Sequence, residues 1–409
     1  MQDNGKYGQA LNRRWFILPL LVLSVVEATF NWFNIVGTFG YIGPVFKIGV
    51  AQFGLLVGVF LAGYGIFHLP VGVFANRFGF RNMLLLGFVL ESVGSILSGL
   101  APDYPFLVAM RILSGVGASF VVGVSFALTN VWFKDAEINL ANGLVGGVGF
   151  AIGAAIVLQY GATFAAALGW RNYLLMTGIV GLIIAGIVTS MMRMPSHEKR
   201  LAGGRITSKD LKEVFGNKAL WFLGISILGA YGSYFTTSEL ISTYAGSGAL
   251  HFSAGIAAAT GTLVLLIGIP GSIVGGIFTD RVKKVKLVFG IFELLVGLFF
   301  FSILVDPNVT VWLLGAVVGF SALAAFAAFT AVPGIMGTVS AHNLALGAGL
   351  LLSMAAIGGF LVPTIFGIIA ATSYTHAWIF LGSISLVFLV FLPLVREPFR
   401  IKSEHYGAQ

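Results

Sequence analysis

The chain contains no cysteine. Disulfides, thiolate nucleophiles and Cys-ligated metals are therefore excluded. Charge is nearly as scarce: of 409 residues, 9% are charged and 58% hydrophobic. So few charges cannot cover the surface of a soluble protein, and the surrounding solvent is read as lipid. Six histidines (His68, His197, His251, His342, His376 and His405) are scattered without metal-ligand spacing. There is no Gly-x-x-x-x-Gly-Lys-Ser/Thr phosphate loop, which excludes an ATPase cassette. Short segments of alternating polarity are missing as well, which excludes a transmembrane β-barrel.

What is present is apolar length. A spanning helix needs about 20 apolar residues. Twelve stretches qualify: 15–38, 49–75, 82–101, 104–132, 139–165, 172–194, 219–246, 253–278, 286–305, 309–336, 343–370 and 375–396. The first reads as a span, not as a cleavable signal peptide. Glycine is abundant, with 55 residues, which suits close helix contact in lipid. A net charge of +8 could suggest nucleic acid, but its placement does not. All but three of the 23 Lys and Arg fall on the side of the N-terminus. The exceptions are Lys47 and Arg171 in opposite loops and Arg111 inside a span. This bias puts both termini in the cytoplasm.

The hexapeptide Gly72-Val-Phe-Ala-Asn-Arg77 closes the second stretch and returns as Gly276-Ile-Phe-Thr-Asp-Arg281 at the end of the eighth. One copy per half, at one place in the hydropathy pattern, indicates duplication. Six stretches precede the polar segment 195–218 and six follow. The organisation expected is a bundle over 1–194, a cytoplasmic linker over 195–218 and a bundle over 219–409. Within the linker, Lys209 to Phe215 reads either as an amphipathic helix on the inner membrane face or as a solvated loop. Asn76 and Asp280 are both placed to cap the helix that follows.

These features resemble the major facilitator superfamily over the whole chain. Gly72, Asn76, Arg77, Gly79 and Arg81 resemble its loop 2–3 motif, with Asn76 where Asp is usual. Gly276, Asp280, Arg281 and Lys284 resemble the loop 8–9 echo; Arg111, Gly115 and Gly117 resemble the motif of the fourth span. Trp170-Arg171 before the sixth span is also typical. Gly143, Gly146, Gly147, Gly149 and Gly153 lack the proline of the antiporter motif. The resemblance implies an all-α polytopic membrane protein with twelve transmembrane helices in two pseudo-symmetric six-helix bundles. It implies secondary transport of a small molecule by alternating access in the cytoplasmic membrane, by a monomer with no cofactor, no metal and no enzymatic activity. Gly72, Asn76, Arg77, Arg81, Gly276, Asp280 and Arg281 would form its gating loops.

Ser24, Glu27, Asn31 and Asn34 recur at helical spacing on the first span. A polar face in lipid must look at protein or at a watery cavity. It is therefore either a cavity wall or interhelical glue. Glu27 lies about 18 Å along its span, and Arg111 about 10 Å from the opposite end of the fourth, at 1.5 Å per residue. In a core of about 30 Å these depths nearly coincide. Glu27 and Arg111 are the expected proton-coupling pair of a symporter, or a permanent structural pair. Glu91 and Glu293 hold equivalent mid-span positions; they either face inward or stay protonated. His68 reads as a packing histidine or a pH sensor, and Glu239 as a residue that snorkels to water.

Asn31, Trp32, Asn34, Tyr234 and Phe235 are the candidate substrate contacts, the aromatics as a cage for an organic cation or as a hydrophobic gate. The hydroxyl-rich seventh span supplies Tyr231, Ser233, Thr236, Thr237, Ser238 and Tyr244. A narrower similarity links Arg13-Arg14-Trp15, Phe30-Asn31-Trp32, Val131-Trp132-Phe133, Gly149 to Gly153 and Ala254 to Lys286 to the feline-leukaemia-virus-receptor-related branch, which handles choline-like amines and haem. In that branch the cation site corresponds by position to Trp32 and Tyr234 or Phe235. The leading expectation is thus a small organic amine, coupled to protons. The alternatives are a monocarboxylate held by Arg111, or an uncoupled facilitator.

Overall fold

The computed structural model describes residues 3–133, 141–192, 207–336, 339–340 and 343–398; the side chains of Gly72 and Asn76 lie outside the described set. Among the described residues, twelve helices are long and apolar enough to cross a membrane. They are α1 (Asp3–Phe33), α2 (Val50–Phe78), α3 (Phe80–Gly99), α4 (Tyr104–Trp132), α5 (Gly149–Leu168), α6 (Trp170–Met191), α7 (Lys218–Ala245), α8 (Ala254–Val282), α9 (Val285–Phe299), α10 (Pro307–Thr330), α11 (Leu344–Ala370) and α12 (Tyr374–Leu389). Each corresponds to one apolar stretch of the sequence. An even number of crossings puts the start of α1 and the end of α12 on one face.

Helix pairing repeats with a shift of six. In the first half α2 and α3 pack on α4, α1 on α5, and α3 on α6. In the second half α8 and α9 pack on α10, α7 on α11, and α9 on α12. The halves meet along α2 against α11 and α5 against α8. Glycine makes these approaches possible. A Cβ on Gly58 would strike the Phe360 carbonyl of α11, and one on Gly54 the Pro363 carbonyl. Single glycines also turn α2 into α3 and α5 into α6: Gly79 and Gly169 sit at φ of +87° and +79°, a region that residues with a Cβ rarely occupy.

Two element ends differ from the hydropathy reading. The first helix stops at Phe33, and Val36–Thr38 and Phe39–Phe46 form two separate short helices. Hydropathy misses this break because Ile35 to Phe39 stays largely apolar. Neither Asn76 nor Asp280 stands at the N-cap of the helix that follows, where Gly79 and Lys284 are found. α2 runs on to Phe78 and α8 to Val282, so both residues lie in the last turn of the preceding helix. The acid that caps α9 is Glu397, whose carboxylate accepts from the amides of Val285 at 2.7 Å and Lys286 at 3.2 Å.

The adjacent pair Gly275 and Gly276 gives a direct test of helix packing. A Cβ on Gly275 would collide with the Ala324 carbonyl of α10, whereas one on Gly276 meets nothing within 4 Å. Gly275→Ala should lower stability by about 1–3 kcal/mol through overpacking, and Gly276→Ala should change it by less than about 0.5 kcal/mol. Equal melting temperatures for the two variants in detergent would refute this packing.

The linker boundary at 195–218 falls partly on 193–206, outside the described residues. Its second part holds the helix Ser208–Phe215, started by a Thr207–Asp210 capping box. Asn343, just before α11, donates to Glu213 at 2.9 Å and to Asp210 at 3.1 Å, and the Ser340 amide donates to Glu213 at 2.5 Å. The Ser340 amide, followed by Asn343, holds the Glu213 carboxyl below its ordinary value of 4.5. A depressed carboxyl stabilises the fold above its unfolded value and loses that contribution as pH falls through the lowered one. Glu213→Gln should therefore melt below wild type at pH 7, and the gap should close as pH falls through the lowered carboxyl value. A gap independent of pH would assign the effect to packing.

Candidate functional site

The polar stripe of α1 faces α3 and α6 inside the first half. Asn34 donates to Ser95 of α3 at 2.6 Å and to Thr177 of α6 at 2.8 Å. Glu27 accepts from Asn31 at 2.7 Å, while Ser24 donates to the Leu20 carbonyl of its own helix. All four residues are buried. α6 comes this close because Gly181 stands opposite; a Cβ there would strike Glu27 Oε1 and Ser92 Oγ. The stripe thus looks at protein, and Asn34 is taken up inside the half.

Arg111 enters the same cluster from α4. Its Nη2 donates to the Trp32 carbonyl at 2.6 Å, and Nη1 to the Asn31 carbonyl at 3.2 Å and to Asn34 Oδ1 at 3.5 Å. The last carbonyls of a helix have no partner within it. Because α1 ends at Phe33, Asn31 and Trp32 present such carbonyls, and a cation is favoured at a helix C-terminus. Arg111 is therefore a cap on α1. The depths of Glu27 and Arg111 do coincide, but no direct ion pair joins them. Asn31 connects the two, its amide to Glu27 and its carbonyl to Arg111. Arg171 uses the same chemistry at the end of α3, donating to Gly99 and Ala101 carbonyls at 3.2 and 2.8 Å.

Trp32 points the other way, across to the second half. Its indole stacks on Phe235 of α7 with centroids 5.1 Å apart and planes 5° from parallel. Phe60 of α2 stacks on it at 4.8 Å, Tyr64 lies at 5.2 Å, and Phe150 of α5 meets it edge-on at 5.6 Å. Its Nε1 donates to Glu239 Oε1 at 3.1 Å. Tyr234 and Tyr231 flank Phe235 at 5.1 and 4.8 Å. Glu239 is 0% exposed and does not snorkel, because Trp32 of α1 lies against it. Trp32, Phe235 and Tyr234 are at most 4% exposed, so the cluster is closed to solvent.

Phe60, Tyr64 and Phe150 are site residues that sequence reasoning missed. One signal for Phe150 was available. Gly149 and Gly153 form a Gly-x-x-x-Gly pair, and a Cβ on Gly153 would strike the Val26 carbonyl of α1. Such pairs let helix backbones touch, and here they set Phe150 beside Trp32. A π-helical turn, Gly143–Val148, leads into this part of α5; such turns recur at functional sites.

Other candidates fall elsewhere. Thr236, Thr237 and Ser238 donate to carbonyls of their own helix at 2.7, 2.7 and 3.0 Å, so their hydroxyl hydrogens are already used. Glu91 and Glu293 face inward and are buried; neither Glu91 oxygen has a hydrogen-bond partner. Glu91 packs against Gly117 of α4, within electrostatic range of Glu27 and Arg111. His68 is buried and tilted on Tyr64 at 4.8 Å. Arg77, Arg81, Asp280 and Arg281 are exposed on the face where α1 begins and α12 ends. Among the described residues no group of three metal-binding side chains exists.

A family model for the Major Facilitator Superfamily matches residues 21–345. The chain belongs to the major facilitator superfamily. It is a multi-pass membrane transporter of that superfamily, not an enzyme. Its fold is similar to that of a bacterial homolog of the human lysosomal transporter Spinster. The inward-facing, unoccupied form matches with a TM-score of 0.73 at 16% identity, covering 96% of this chain and 97% of the other. The inward-facing, occupied form matches at 0.69 and 17% identity, covering 93% and 95%. In this superfamily member the candidate site lies where α1, α2, α5 and α7 converge between the halves.

Proposed function

We propose that this transporter moves a small organic amine across the cytoplasmic membrane by alternating access, with coupling to protons. The observation that carries the reading is Glu239, a buried acid set among Trp32, Phe235 and Tyr234 at the junction of the halves. Aromatic faces attract cations, and an acid among them selects positive charge. The charge count supports both the cargo and the coupling. Among the described residues, Arg111 is the one guanidinium within electrostatic range of Glu91 and Glu239, and it is joined to Glu27 through Asn31. Excess buried negative charge is costly, so protons or a cationic substrate complete the cluster. Glu27, joined to Arg111 through Asn31, is the proposed proton carrier, and the positive-inside bias supports cytoplasmic termini.

A second reading has one observation in its favour: Arg111 Nε is buried without an acceptor. That atom would suit a monocarboxylate. A thermal-shift screen of purified protein against amines, monocarboxylates and sugars at two pH values separates these classes. A ligand at a hundred times its Kd stabilises by about 2.7 kcal/mol. An amine is expected to stabilise wild type but not Trp32→Ala. Stabilisation by monocarboxylates alone would overturn the amine reading in favour of the second.

A further inference from the structure

Among the described residues, two hydrogen bonds cross from one half to the other. One joins Ser353 to the Gly65 carbonyl at 2.9 Å. The second joins the Trp32 indole to Glu239 Oε1 at 3.1 Å, inside the candidate site. The other carboxylate oxygen, Glu239 Oε2, is buried with no hydrogen-bond partner. The charge of Arg111 is within electrostatic range of Glu239, but its Nη1 and Nη2 are directed at the end of α1. Indole N–H is a donor with no acceptor capacity. In the closed site, then, Trp32 pairs with one of the two carboxylate oxygens of Glu239, and the second has no partner.

We infer that Glu239 selects its cargo by N–H donation: the site takes protonated amines carrying at least one N–H and discriminates against fully alkylated ammonium ions. This rests on the amine reading above and narrows it. Aromatic rings alone would favour any cation, quaternary ones included. Glu239 adds a directional demand. A ligand that enters between Trp32 and Phe235 separates the indole from the carboxylate and must replace the donor it removes. A primary or tertiary ammonium supplies that donor to Oε1 or Oε2. A quaternary ammonium has none, and leaves two buried carboxylate oxygens unpaired. Sites built to hydrogen-bond a ligand reject analogues lacking the donor by large factors, because their own polar groups are left unmatched.

The test is binding of a matched series to the full-length protein in detergent at pH 7: phenethylamine, its N,N-dimethyl form and its N,N,N-trimethyl form. The first two are expected to bind, and the third about 100-fold more weakly. Glu239→Gln keeps an acceptor for Trp32 but loses the charge, and should bring the primary-to-quaternary ratio to within about threefold. Glu239→Asp, which retains both, should preserve the ranking if the Gln variant does not fold. Trimethyl binding within threefold of the primary amine on wild type would overturn the inference and leave the cation reading standing. Failure of all three to bind would overturn the amine reading itself.

Discussion

Glu27→Gln is expected to exchange amine across the membrane at close to the wild-type rate while losing accumulation driven by a proton gradient. Gln keeps a carbonyl to accept from Asn31, so the 2.7 Å bond and the fit against Gly181 survive. What is lost is the ability to take up and release a proton. One pH unit corresponds to about 1.36 kcal/mol, so one proton per substrate sustains about tenfold accumulation per unit. In proteoliposomes, after subtraction of protein-free liposomes, wild type should reach about that ratio and the variant should stop near equality. Counterflow should stay within about twofold of wild type, since no transition-state contact is removed. Full accumulation by the variant would sink the role of Glu27. Failure of wild type itself to accumulate, with counterflow intact, would identify an uncoupled facilitator.

Arg111→Ala should be the most destabilising substitution in the site. It strips the end of α1 of its cap at Asn31 and Trp32. It also removes the guanidinium that lies 4.6 Å over the Phe60 ring and balances the buried acids. Removing one member of a buried charge cluster costs about 3–5 kcal/mol. Arg111→Lys should recover part of this, since an ammonium can reach one carbonyl but lacks the planar fork that spans both. Tryptophan-fluorescence melting of the three proteins is the measurement; the absence of cysteine rules out thiol-reactive dyes. A Lys variant as weak as Ala would mean that fork geometry, not charge, carries the effect. An Ala variant melting with wild type would remove the capping role.

The twelve crossings and the duplication were legible because hydropathy and the repeated loop are local signals. So was the face shared by Ser24, Glu27, Asn31 and Asn34, which follows from helical periodicity. The partners of that face were not legible. Ser95 and Thr177 are unremarkable residues on two other helices, and only their distances of 2.6 and 2.8 Å from Asn34 reveal the contact. The role of Arg111 depended on where α1 ends, and an apolar run conceals that end. Glu239 looked like a terminal residue of its span, yet lies under Trp32. Phe60 and Tyr64 resemble any aromatic on a lipid-facing helix, and periodicity does not say which apolar face meets the other half.

The seam between α2 and α11 has a mechanical consequence. At Gly54 and Gly367 one backbone lies directly on another, the nearest atoms across the seam all being backbone. Interdigitated surfaces must unlock many rotamers before they move. Bare backbone against backbone offers no such teeth, so small rotations pass through a shallow series of near-equal contacts. The junction is a bearing, not a weld. Resistance to rocking then rests on the side chains that do cross, Ser353 to Gly65 and Trp32 to Glu239, and a cargo that opened the second of these would also ease the hinge.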